Sequence, residues 1–63
     1  MVRLTKIFDL LGMNTEISLF FEDRLAYMGT CGECPRETWC CAYAEHLSYN
    51  EHTGRYLIDI IYR

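Results

Sequence analysis

Four cysteines, Cys31, Cys34, Cys40 and Cys41, fall within eleven residues of a chain only 63 residues long, and His46 and His52 follow them closely. A chain this short sits near the size at which a hydrophobic core alone stops sustaining a fold. The cluster therefore has two physical meanings. Either it holds a metal or disulfides that help the fold, or the thiols are small apolar side chains that pack.

Length permits one domain, spanning residues 1–63. The apolar share of 51% and the aromatic share of 14% are enough for a folded interior rather than a disordered tail. Ordering the backbone costs roughly 1–2 kcal/mol per residue, which consumes most of what so small a core gains. Stability is expected to be modest unless a partner, a second copy or a metal contributes.

The formal net charge is −3, and the six Arg and Lys residues are scattered at positions 3, 6, 24, 36, 55 and 63. Phosphate-tracking proteins concentrate such residues in a stripe. Nucleic-acid binding is disfavoured, and the balance suits an acidic surface meeting a basic partner protein. The opening residues Met1 to Leu11, closed by Gly12, are too short for a signal-peptide core and too polar to cross a membrane. The expectation is a cytoplasmic protein with no membrane association, whose thiols stay reduced and unbridged.

Along the chain, Thr5 is positioned to cap a helix over Lys6 to Leu11, with Ile7, Leu10 and Leu11 on its apolar side and Gly12 ending it. Leu4, ahead of that cap, is placed to pack back as a hydrophobic staple. Thr15 to Phe21 alternates, with Ile17, Leu19 and Phe21 on one side. Glu22-Asp23 reads as the reversal of a hairpin whose second strand runs from Arg24 to Thr30. The turn lacks the Asn-Gly or Asp-Gly pair that would favour it most. Pro35 to about Ala44 reads as a second helix, with Trp39, Ala42 and Tyr43 on one face. The same stretch also fits a strand presenting Trp39, Cys41 and Tyr43. His46 to Tyr49 forms a short strand, Asn50 to Gly54 a turn, and Tyr56 to Tyr62 a strand of high β-propensity. In that last strand Tyr56, Ile58, Ile60 and Tyr62 should face the core, with Leu57, Asp59 and Ile61 opposite.

The expected fold class is α+β: a four-stranded, mostly antiparallel sheet with two short helices, in the order helix, hairpin, helix, hairpin. The final strand is apolar on both sides and is expected at an edge, where it could pair with a second copy to give a homodimer.

The phrases Asp9-Leu10-Leu11-Gly12-Met13-Asn14-Thr15-Glu16-Ile17, Met28-Gly29-Thr30-Cys31-Gly32-Glu33-Cys34-Pro35 and Gly54-Arg55-Tyr56-Leu57-Ile58-Asp59-Ile60 resemble small uncharacterised proteins encoded by phages and conjugative elements of gut Firmicutes. Those proteins share a short helix, a "(D/N)TEI" strand, a strand ending in "GT" and a hydrophobic final strand. The cysteines depart from that pattern, which has small or acidic residues in their place. The resemblance implies a mobile-element origin and a bacterial host cytoplasm. It also implies a small acidic protein that binds and inhibits a host protein, as anti-CRISPR and other anti-defence proteins do.

Two chemical readings of the cysteines compete with recognition. Cys31 and Cys34, two residues apart with Gly32 between them, are spaced to wrap one zinc ion. Adjacent Cys40 and Cys41 diverge by about 100° on a helix, so one of them, Cys40, would join, with His46 as fourth ligand. Alternatively Cys31 and Cys34 are a redox dithiol, a helix N-terminus lowering the pKa of Cys31. His46 and His52 lack a well-placed orienting carboxylate, His52 being read as a solvated turn residue, and no nucleophile elbow or phosphate loop is present. A protein without catalytic activity is therefore expected. It carries no cofactor unless the zinc reading holds, and binds through Tyr49, Tyr56, Tyr62, Glu22 and Asp23, aromatic anchors beside acidic residues.

Overall fold

The computed structural model describes residues 1–62. Among these residues five strands and two helices follow one another: β1 (Val2–Arg3), α1 (Leu4–Leu11), β2 (Glu16–Phe21), β3 (Arg24–Thr30), α2 (Arg36–Trp39), β4 (Ala42–Asn50) and β5 (Arg55–Tyr62). The α+β class holds. The expected four strands become five because Val2 and Arg3 pair with Ala44 and Tyr43 of β4.

Helix α1 begins two residues earlier than its sequence suggests. Arg3, still extended in β1, stands at its N-cap without a side-chain bond, so Thr5 lies inside the helix and does not cap it. Tertiary packing explains the difference. Starting at Leu4 places Leu4, Ile7, Phe8 and Leu11 along one stripe, and Leu4 becomes wholly buried. Leu10 falls outside that stripe and is 77% exposed, against the expectation that it packs. Gly12 ends the helix at φ 92°, its N–H bonded to the Phe8 carbonyl, and the Thr15 hydroxyl donates to the Leu11 carbonyl.

The β2–β3 hairpin forms where the alternation indicates. Its two-residue turn holds Glu22 at φ 52° and Asp23 at φ 64°, the backbone of a type I′ turn without the glycine that relaxes it. Ala26 is an extra residue in β3, a bulge opposite the Leu19–Phe20 step.

The second expected helix is cut short and gives way to strand. Helix α2 spans only Arg36–Trp39, and residues 42–44, expected to be helical, open β4. The spacing of Trp39, Ala42 and Tyr43 suits a helix, but a strand here gains partners on both sides. Ala42 and Ala44 pair with Tyr62 and Ile60 of β5, while Tyr43 pairs with Arg3, whose guanidinium lies 5.4 Å from the Tyr43 ring centre.

The sheet order is β1-β4-β5-β2-β3, and β2 runs parallel to β5 while the other three pairings are antiparallel. The sheet is thus mixed, where a mostly antiparallel one was expected. Strand β5 lies between β4 and β2. It is not an edge strand, and its backbone has no free side on which a second copy could pair over residues 56–59. A strand apolar on both faces belongs in the middle of a sheet, where both neighbours shield it.

The core lies on one side of this sheet. Ile17 and Leu19 of β2, Ile58 and Ile60 of β5 and Ala42 of β4 meet Leu4 and Ile7 of α1 and the side chains of Cys31 and Cys34, with Phe8 and Trp39 packed against them. Both described helices contribute to this side. The pairing register places Phe20, Leu57, Asp59, Ile61, Tyr43 and His46 on the other side. No described helix is long and apolar enough to cross a membrane.

Candidate functional site

Strands β2 and β5 run in the same direction, so both finish at one end of the sheet, beside the β2–β3 turn. A cleft of about 300 Å³ opens there, lined by Phe20, Phe21, Glu22, Asp23, Glu45, Asp59, Ile60 and Ile61. Its apolar floor comes from the strand ends. Four carboxylates complete the lining, with no basic side chain beside them among the described residues.

The four carboxylates arrive by three routes. Glu22 and Asp23 are held by the tight turn. Asp59 stands on the uncovered face of β5, with its carboxylate 3.8 Å from His46 Nδ1. Glu45 is the extra residue of a bulge in β4, where the pairing with β5 steps from Ala44–Ile60 to His46–Asp59. A bulged residue has no partner opposite and turns out of the ladder. Phe21 is braced from the core side by Tyr62, the rings meeting edge-on at 5.0 Å, and the Tyr62 hydroxyl donates to the Thr38 carbonyl at 2.8 Å.

Of the residues expected to bind a partner, Glu22 and Asp23 line this cleft and Tyr62 supports it through Phe21. Tyr49 and Tyr56 do not belong to it. They pair with each other, ring centres 4.8 Å apart, at the opposite end of β4 and β5. Phe21, Glu45, Asp59, Ile60 and Ile61 were missed. Asp59 alone left a signal, a lone charge inside an apolar strand. The position of Glu45 depends on the bulge, which residue type does not announce.

The cysteines sit elsewhere. Cys31 and Cys34 are buried, at 5% and 6% exposure. The backbone holds them there: the Cys31 N–H bonds to the Thr15 carbonyl, Gly32 N–H to Met13, and the Trp39 indole N–H to the Cys34 carbonyl at 2.9 Å. Phe8 and Trp39, 5.8 Å apart, flank a second groove of about 300 Å³ beside the two thiols. Cys40 is half-buried and Cys41 exposed, and all four thiols are free.

This placement does not bring the four expected zinc ligands together. Strict alternation from Ala42 and Ala44 would keep His46 on the core side with Cys31 and Cys34. The bulge at Glu45 reverses the alternation and carries His46 to the opposite face, next to Asp59. Among the described residues no group of three or more His, Cys, Asp or Glu side chains is arranged to hold a metal ion. The redox reading meets a different obstacle. Burial pushes the Cys31 thiol up, outweighing the lowering by its own backbone hydrogen bond. Cys34 is pushed up to about 11, by burial and then by the neighbouring Cys31. Helix α2 begins only at Arg36 and is a single turn, so it does not supply the activating dipole expected for Cys31.

No family model, curated protein or solved structure matches the chain.

Proposed function

We propose that the protein works by binding, without catalysis, and that its cleft receives a basic segment of a partner protein. The observation that carries this reading is the lining itself: Glu22, Asp23, Glu45 and Asp59 gathered around Phe20, Phe21 and Ile61. Such a site suits a Lys or Arg side chain, whose aliphatic stem covers the apolar floor while its charged head meets the rim. The backbone adds support. Two acidic residues held at positive φ cost more than Asn-Gly would at the same turn, and strain of this kind is commonly kept where a side chain is needed.

The net charge of −3 and the resemblance to phage and mobile-element proteins extend the proposal. The partner is then a host protein in the bacterial cytoplasm, and occupying its basic surface inhibits it, as an anti-defence protein would.

Titrating the labelled protein with a peptide of alternating Arg and aromatic residues tests the reading by amide chemical shifts. Shifts are expected at Phe20 to Asp23, Glu45 and Asp59 to Ile61, fading as salt is raised. Reversing Glu45 and Asp59 to Lys should weaken binding by about tenfold or more. Shifts spread evenly over the surface, or absent at millimolar peptide, defeat the proposal.

A further inference from the structure

Cys40 and Cys41 occupy the corner where α2 gives way to β4. Cys40 keeps a helical backbone, with φ −60° and ψ −31°, and its N–H bonds to the Arg36 carbonyl at 2.8 Å. On the other side Ala42 is buried at the start of β4. The corner is therefore fixed at both ends. Adjacent side chains normally diverge on helix and strand alike. Here the two sulfurs converge to 3.5 Å, on the accessible side of the molecule.

That separation discriminates between the things a dithiol can do. The peptide between the residues is trans, so their Cα atoms are about 3.8 Å apart. Disulfides usually span about 4.4–6.8 Å between Cα atoms, so direct closure of this pair strains the ring. A single atom bonded to both sulfurs relieves that constraint. With sulfur bonds of about 2.3 Å, a 3.5 Å bite corresponds to an angle of roughly 100° at the bridging atom. A linear two-coordinate cation needs the sulfurs about 4.6 Å apart at the same bond length. A pyramidal, three-coordinate centre has the required angle.

We propose that Cys40 and Cys41 form a chelating site for trivalent thiophilic semimetal compounds, of which monosubstituted arsenicals are the simplest. With an arsenoxide the exchange is balanced and involves no oxidant. Two arsenic–sulfur bonds form, the arsenic–oxygen bonds break, and the two thiol protons leave with the oxygen as water. Arsenic stays trivalent. The buried Cys31 and Cys34 do not compete in the folded protein.

Phenylarsine oxide is the probe, added to the full reduced chain and followed by intact mass under native conditions. One adduct per chain is expected, removed by 2,3-dimercaptopropanol but not by an equal concentration of 2-mercaptoethanol. Cys40→Ser and Cys41→Ser should each lose the dithiol-selective adduct. Iodoacetamide labelling of the adduct after unfolding maps the site without relying on variants: Cys31 and Cys34 become alkylated while Cys40 and Cys41 stay protected. No adduct on the native chain, an adduct stripped by the monothiol, or protection falling on Cys31 and Cys34 overturns the assignment.

Discussion

Cys34 shows how much one buried group can say. Its thiol is enclosed among Cys31, Trp39 and the core, and its pKa stands at about 11 against an ordinary 9.0. The folded state thus holds the thiol proton more tightly than the unfolded chain does. This stabilisation is complete below about pH 9 and is lost as pH rises through about 11. Urea midpoints measured across the alkaline range should fall between those limits, and Cys34→Ala should flatten part of the fall. Cys31, Tyr27 and Tyr62, each also raised chiefly by burial, share the remainder with Cys40, raised chiefly by its hydrogen bond with Cys41. An alkaline profile identical in Cys34→Ala and the native chain contradicts the placement of this thiol. At neutral pH Cys41, being exposed, should be the first of the four to react with a disulfide reagent.

Among the elements, the β2–β3 hairpin separates stability from recognition. Replacing Glu22 and Asp23 with Asn and Gly gives the turn a sequence that accepts positive φ without strain. Chemical denaturation should show a gain of about 1 kcal/mol. The same exchange removes one carboxylate from each position, so affinity for a basic peptide should drop. A variant that is more stable and binds equally well denies the turn its proposed role. Strand β4 carries the other lesson at this scale. One bulged residue, Glu45, brings a carboxylate to the cleft and simultaneously takes His46 away from the cysteines. Because side chains alternate with a period of two, a single inserted residue exchanges the faces of everything after it.

Across the whole molecule, β5 is the keystone. It joins β4 antiparallel and β2 parallel, and it carries Ile58 and Ile60 into the core. A chain ending at Gly54 should show no cooperative thermal transition by circular dichroism, because β1-β4 and β2-β3 would share no backbone hydrogen bonds. A retained cooperative melt would mean that β5 is an accessory strand, as the expectation of an edge position implied. The free ladder positions lie instead on the outer side of β3 and along the part of β4 beyond its short pairing with β1.

What could be read from the chain alone was local. Ile17 and Leu19 announce a strand by alternation, Gly12 and Gly54 mark ends that need positive φ, and Tyr56 to Tyr62 declares its strand and, at Ile58 and Ile60 though not at the exposed Tyr62, its core face. These features depend on residues a few positions apart, so the sequence carries them directly. Packing settled the rest. Whether 42–44 coils or extends, where β5 inserts, and which side His46 faces all depend on hydrogen bonds to residues distant in the chain. Those bonds outweigh the weak preferences of Ala42, Tyr43 and Ala44, and they assembled a carboxylate-rimmed cleft from turn, bulge and strand ends that no contiguous motif contains.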